Sequence, residues 1–200
     1  MTKRALQEKK RRALQDADEL IDRFVETINR LPREPDVEDQ IPASVRGEPD
    51  DAEGWYDWSI RPLPTIDWIE PMERRIGIEF PPAFRSLVTR YVFPCFDAGP
   101  IALAANTPEG VFWELRCMDP AFEEVLVPKG YIPFARPDTF RYDPICFDTR
   151  RRGADGECPL VCIEHESVLC NSVIGDIEDV APSFAAFVEY FVRSHAAVLA

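Results

Sequence analysis

Cys158, Cys162, His165 and Cys170 crowd sulfur and imidazole into one short stretch, which is the ligand chemistry of a zinc site. Zinc needs its sulfur ligands about 2.3 Å from a single ion. Residues Pro159 to Glu164 read as a strand, and at about 3.3 Å per residue a strand sets Cys158 and Cys162 about 13 Å apart on one face. One ion cannot span that distance unless the segment folds back. The expectation is therefore buried thiols without a metal. Cys95, Cys117 and Cys146 also lie in apolar, strand-like contexts, so all six cysteines read as small, reduced core residues.

Hydrolysis would need a nucleophile beside a base, and histidine is the usual base near neutral pH. The chain offers only His165 and His195. His195 falls in the last turn of an apolar helix, where an imidazole commonly serves the unpaired carbonyls. His165 stands between Glu164 and Glu166 at a strand end and reads as an exposed turn residue. No Gly-x-Ser-x-Gly elbow, phosphate-binding loop or dinucleotide fingerprint is present. Carboxylate pairs such as Glu123-Glu124 are expected by chance in so acidic a chain. The residues thus predict no catalytic site and no cofactor.

The elements that must carry these side chains come next. Leu6, Ala13, Leu14, Ala17, Leu20, Ile21, Phe24, Val25, Ile28 and Leu31 recur at helical spacing, which predicts an amphipathic N-terminal helix ending at Pro32. From Leu31 to Pro64 the chain is rich in proline and carboxylates, and it reads as a long loop wrapped over the domain. Near its end, Trp55, Tyr56, Asp57 and Trp58 follow Asp50, Asp51 and Glu53. Aromatic anchors flanked by carboxylates suit a basic protein partner, while the same tryptophans could instead pin the loop to the core.

A short helix is predicted from Asp67 to Ile76, closed by Gly77, and a second from Pro82 to about Val92, stopped by Pro94. Short apolar runs follow at Pro100–Ala105, Gly110–Cys117, Ile132–Ala135, Ile145–Asp148 and Leu160–Glu164. Gly, Pro and Asp separate them, which favours an antiparallel sheet. Phe184, Phe187, Val188, Phe191 and Val192 then define the buried face of a last helix. Helices, then strands, then a helix is the order of an α+β fold.

Several of these pieces together resemble the SMI1/KNR4 family, also called SUKH proteins. Ile69, Glu73, Ile76-Gly77, Phe80-Pro81, Phe84 and Leu87-Val88 are similar to its opening pair of helices. Tyr131 to Ala135, Tyr142 to Asp148 and Pro159 to Val161 resemble its central strands, and Ala181 to Phe187 its terminal helix. Where the family has a glycine-rich step after the second helix, Phe96 to Pro100 keeps only Gly99. The first 64 residues carry no part of the resemblance.

The resemblance implies an antiparallel sheet with helices packed around it, and a non-enzymatic immunity protein that binds and neutralises a toxin, often a nuclease. It also allows a regulatory scaffold that recruits partners. The organisation expected is an N-terminal helix and acidic loop over residues 1–64 and an SMI1/KNR4-like domain over residues 65–200.

Charge narrows the partner. The net charge is −13, and residues 1–12 carry six basic side chains against Glu8, which leaves −18 on the other 188 residues. Such a field repels nucleic acid and anionic lipid and attracts a basic protein, here a toxin domain. No stretch is long and apolar enough to span a membrane, and no signal-like run follows the basic N-terminus, so the expected location is the cytoplasm.

Overall fold

The structure, a computed structural model, describes residues 3–32, 36–37, 41–49, 55–63, 69–107, 120–138 and 141–199. In chain order it contains α1 (Lys3–Arg30), β1 (Asp36–Val37), β2 (Arg46–Pro49), β3 (Trp55–Trp58), β4 (Arg61–Pro62), α2 (Ile69–Ile76), α3 (Pro82–Arg90), β5 (Tyr91–Val92), β6 (Phe96–Asp97) and β7 (Ala102–Leu103). Then come α4 (Pro120–Leu126), β8 (Tyr131–Arg136), β9 (Ile145–Asp148), β10 (Leu160–Ile163), α5 (His165–Asn171), β11 (Ile177–Ala181), α6 (Phe184–Ser194) and α7 (Ala196–Leu199).

The main sheet is an antiparallel meander in which β6 to β11 lie side by side in chain order. Its strands alternate between two cores, as the two-residue period of a pleat requires. Ile145, Phe147 and Leu160 face the larger core, whereas Cys146, Val161 and Ile163 face a smaller one under α4 and α5. Burial on both faces explains why β9 reads as an unbroken apolar run up to Asp148. Pro133 sits inside β8 beside a register shift, where the missing N–H is tolerated.

The larger core is formed by α1, α3 and α6 against the sheet. Phe84 of α3 is its centre, with the rings of Phe80, Phe134, Phe147 and Phe184 all 5.0 to 5.4 Å away. The predicted face of α6 is buried as the spacing required. Gly77 takes a φ of 72° after α2, the left-handed turn that closes a helix. Asp67 and the run Gly110–Cys117 lie outside the described residues.

The segment after α1 is more ordered than the expected wrapping loop. β3 pairs antiparallel with β1 and β2 in a small sheet, and β4 pairs with β5. The Asn29 side chain exchanges two hydrogen bonds of 2.9 Å with the backbone of Ile60, fixing the segment to α1. Ala17, Leu20, Ile21, Phe24 and Ile28 of α1 share one core with α3 and α6. Polar clamps reinforce the packing: the Ser86 hydroxyl donates to Asp18 at 2.6 Å, and Arg90 pairs with Asp22 at 2.6 Å. The second predicted helix ends sooner than its pattern suggested, at Arg90, because Tyr91 and Val92 pair with β4.

Glu157 joins two helices through their first turns, where N–H groups lack partners within the helix. Its carboxylate accepts from the Ala83 N–H of α3 at 2.9 Å and from the Ala185 N–H of α6 at 3.4 Å. Burial pushes the Glu157 carboxyl above its usual range, against the pull of those two donors. Glu157→Ala should leave the wholly buried Ala83 N–H unsatisfied and lower the unfolding free energy by about 1–3 kcal/mol. Chemical denaturation checks this, and a change under about 0.5 kcal/mol would mean that water replaces the carboxylate.

Candidate protein-binding surface

Strand β3 carries the aromatic patch, and its pleat divides the patch in two. Trp55 and Asp57 are exposed on one face, whereas Tyr56 and Trp58 are half-buried on the other. Tyr56 packs over Ile41, Val45 and Val92, with the Arg46 guanidinium 5.1 Å from its ring centre. Trp58 reaches both this cluster and the main core, its ring 5.6 Å from that of Phe96. Trp58 therefore anchors the small sheet, while Trp55, 39% exposed, and Asp57 are presented outward. Gly47 lets β2 run close to β3, since a Cβ there would meet the Asp57 carbonyl oxygen at 3.1 Å, tighter than an ordinary contact. Asp50, Asp51 and Glu53 lie outside the described residues.

His165 departs from its expected place as an exposed turn residue. It opens α5, with its side chain only about one third exposed. Asp143 accepts both its backbone N–H at 3.0 Å and its ring Nδ1–H at 2.6 Å. Since a carboxylate only accepts, Nδ1 carries a proton in this pair. Burial pushes the Asp143 carboxyl up, but the His165 hydrogen bonds outweigh it and hold it below the usual range. Among the described residues no serine or cysteine is hydrogen-bonded to this imidazole. The pair fastens α5 to the loop before β9.

The cysteines divide likewise. Cys146 and Cys158 are wholly buried, whereas Cys95 and Cys170 are exposed, contrary to the reading of all six as core residues. Both exposed thiols lie beside short elements, the bend before β6 and the polar helix α5, that the apolar spacing did not reveal. Cys117 is outside the described residues. Burial pushes the thiols of Cys158 and Cys162 up to about 11, which suppresses the thiolate that a metal or a nucleophilic reaction needs. Among the described residues no group of three or more His, Cys, Asp or Glu side chains is placed to hold a metal ion.

A concavity of about 440 Å³ opens beside Trp58. Ile28 and Leu31 at the end of α1, Phe96 and Asp97 of β6, and Phe191 and His195 at the end of α6 contribute to its wall. His195 caps α6, its Nδ1–H donating to the Phe191 carbonyl at 2.9 Å, the role the sequence predicted for it. Sequence spacing could not reveal this pocket, since its walls come from widely separated segments.

A meander buried between two groups of helices defines an α+β domain. The model of the SMI1 / KNR4 family (SUKH-1) matches residues 63–190, and the chain belongs to that family. No curated protein matches it. Among the described residues no helix is long and apolar enough to cross a membrane.

Proposed function

We propose that this chain is an immunity-type protein that neutralises a toxin by binding it, and that it catalyses no reaction of its own. Membership of the SMI1/KNR4 family is the observation that carries this reading, since the family is known for immunity-type domains that are generally non-enzymatic. The net charge of −13 supports a basic partner, such as a nuclease toxin whose nucleic-acid-binding face attracts phosphate, and the expected location is the cytoplasm. In this reading residues 65–200 form the family domain. Residues 1–64 complete its core and bring the partner surface, with Trp55 and Asp57 outward and Asp50, Asp51 and Glu53 adding charge. Trp58 and Tyr56 hold that surface in place.

The test is kinetic, with a candidate toxin domain encoded beside this chain and a cell-protection assay in parallel. Association should slow roughly tenfold or more between low and high salt, because added ions shorten the reach of the attraction, while dissociation should change less. Reversing Asp50, Asp51, Glu53 and Asp57 to lysine should slow association further, and Trp55→Ala should mainly speed dissociation. His165→Ala should still protect. A salt-independent association rate would remove the electrostatic argument. Loss of protection by a folded His165→Ala protein with unaltered binding would restore an enzymatic reading.

A further inference from the structure

The pocket beside Trp58 combines aromatic walls with negative polarity. Trp58 supplies half-buried ring surface beside the margins of the buried Phe96 and Phe191, and aromatic faces attract cations, arginine in particular because its flat guanidinium also stacks. Asp97 is exposed at the rim, and among the described residues its carboxylate meets no cation. The last turn of α1 borders the pocket through Ile28, and a helix C-terminus carries about half an elementary negative charge. The basic residue of that turn, Arg30, is paired with Glu26 at 2.6 Å. A volume of about 440 Å³ lies within the ordinary range of about 300–1,000 Å³ for ligand pockets and takes one long side chain with room for water.

We propose that this pocket receives an arginine side chain of the basic partner, its alkyl stem against the half-buried Trp58 and the exposed margins of Phe96 and Phe191 and its guanidinium at Asp97. The occupant follows from charge complementarity: a neutral apolar side chain would leave the carboxylate unanswered, and an acidic one would be repelled by it and by the chain's net charge. Trp58 belongs both to β3 and to the pocket wall, on the face of that strand opposite Trp55 and Asp57.

The proposal rests on the reading of the chain as a binder of a basic protein, but its test needs no toxin, so the two can fail separately. Butylguanidinium, its neutral isostere butylurea, and valerate are titrated into the full chain while the Trp58 indole N–H and the amides of Asp97 and Gly99 are followed by NMR. Butylguanidinium should shift these signals saturably and bind about tenfold more tightly than butylurea, and valerate should not bind. Asp97→Asn should weaken butylguanidinium about fivefold to tenfold and leave butylurea unchanged. Asp97→Ser gives the same comparison in a second side chain should the first variant unfold. Equal affinity for the charged and neutral probes, shifts confined to other parts of the molecule, or indifference of folded Asp97 variants would each overturn the assignment.

Discussion

Phe84→Ala should lower the free energy of unfolding by about 3–5 kcal/mol, with the denaturant slope unchanged. The phenyl ring is wholly buried and stands among four other rings drawn from the loop before α3, from β8, from β9 and from α6. Its removal cannot be repaired by one neighbour moving, because Phe134 and Phe147 are stacked on each other at 4.0 Å and held by paired strands. The cavity stays open, and its lining loses dispersion contacts as well as transfer energy. Phe187→Ala removes a ring nearer the margin, with Phe184 at 5.9 Å and Phe191 at 6.5 Å, and should cost less within the same range. Leu14→Ala, on the exposed side of α1, should change stability by no more than about 0.5 kcal/mol. A loss below about 1 kcal/mol for Phe84→Ala would mean that α3 and α6 do not share the sheet's core as described.

The same residues show which parts of the fold could be read in advance. The faces of α1 and α6 were legible because each repeats apolar side chains over several turns, and burial alone decides such a pattern. Strands β8, β9 and β10 were legible as apolar runs between Gly, Pro and Asp. By contrast, β11 carries Glu178 and Asp179 and is largely exposed, so nothing local distinguishes it from a loop until β10 pairs with it. Helix α5 begins at a Glu164 cap and is mostly polar, and its two anchors, Val168 beneath it and Asp143 beside His165, lie in the tertiary structure. The small sheet around β3 escaped notice for a related reason. Its strands are short and carry proline and carboxylates, and the register is held by Asn29 and by the guanidinium groups of Arg46 and Arg61.

For the candidate surface, the sequence showed an aromatic strand but not which side chains face outward. That depends on the pairing of β3, since a shift of one residue would have exposed Tyr56 and Trp58 and buried Trp55 and Asp57. The pocket next to it was invisible for a different reason. Asp97, Phe191 and Ile28 are near neighbours only because α1 and α6 end at the same edge of the meander.

Asp148→Asn should destabilise the protein by about 3 kcal/mol at neutral pH, and the loss should shrink as the solution is acidified. The Asp148 side chain is 1% exposed at the end of β9 and accepts three charge-assisted hydrogen bonds of 2.8 Å, two from Arg150 and one from Arg151. Arg150 also lies over the Tyr131 ring, its guanidinium 4.1 Å from the ring centre, and Arg151 continues to Asp179 on β11. One carboxylate thus ties β8, β9 and β11 together. An amide would offer donors where the arginines need acceptors. Because both arginines are about half exposed and can turn to water, the cost lies at the lower end of the roughly 3–5 kcal/mol expected for breaking a buried pair. The hydrogen bonds from Arg150, and then those from Arg151, hold the Asp148 carboxyl below the usual carboxylate range despite its burial. Its contribution is therefore complete above the unfolded value of about 3.9 and is lost as pH falls through the lower folded value. Glu157 acts with the opposite sign. Its folded value is raised, so its ionisation opposes folding above that value and the penalty vanishes on protonation. Unfolding free energies of the wild type and Asp148→Asn, measured from neutral pH down to about 2, should converge toward the acid end, and Glu157→Gln should flatten the opposing component. A gap between wild type and Asp148→Asn that stays constant across this range would show that packing, and not the charged network, accounts for the loss.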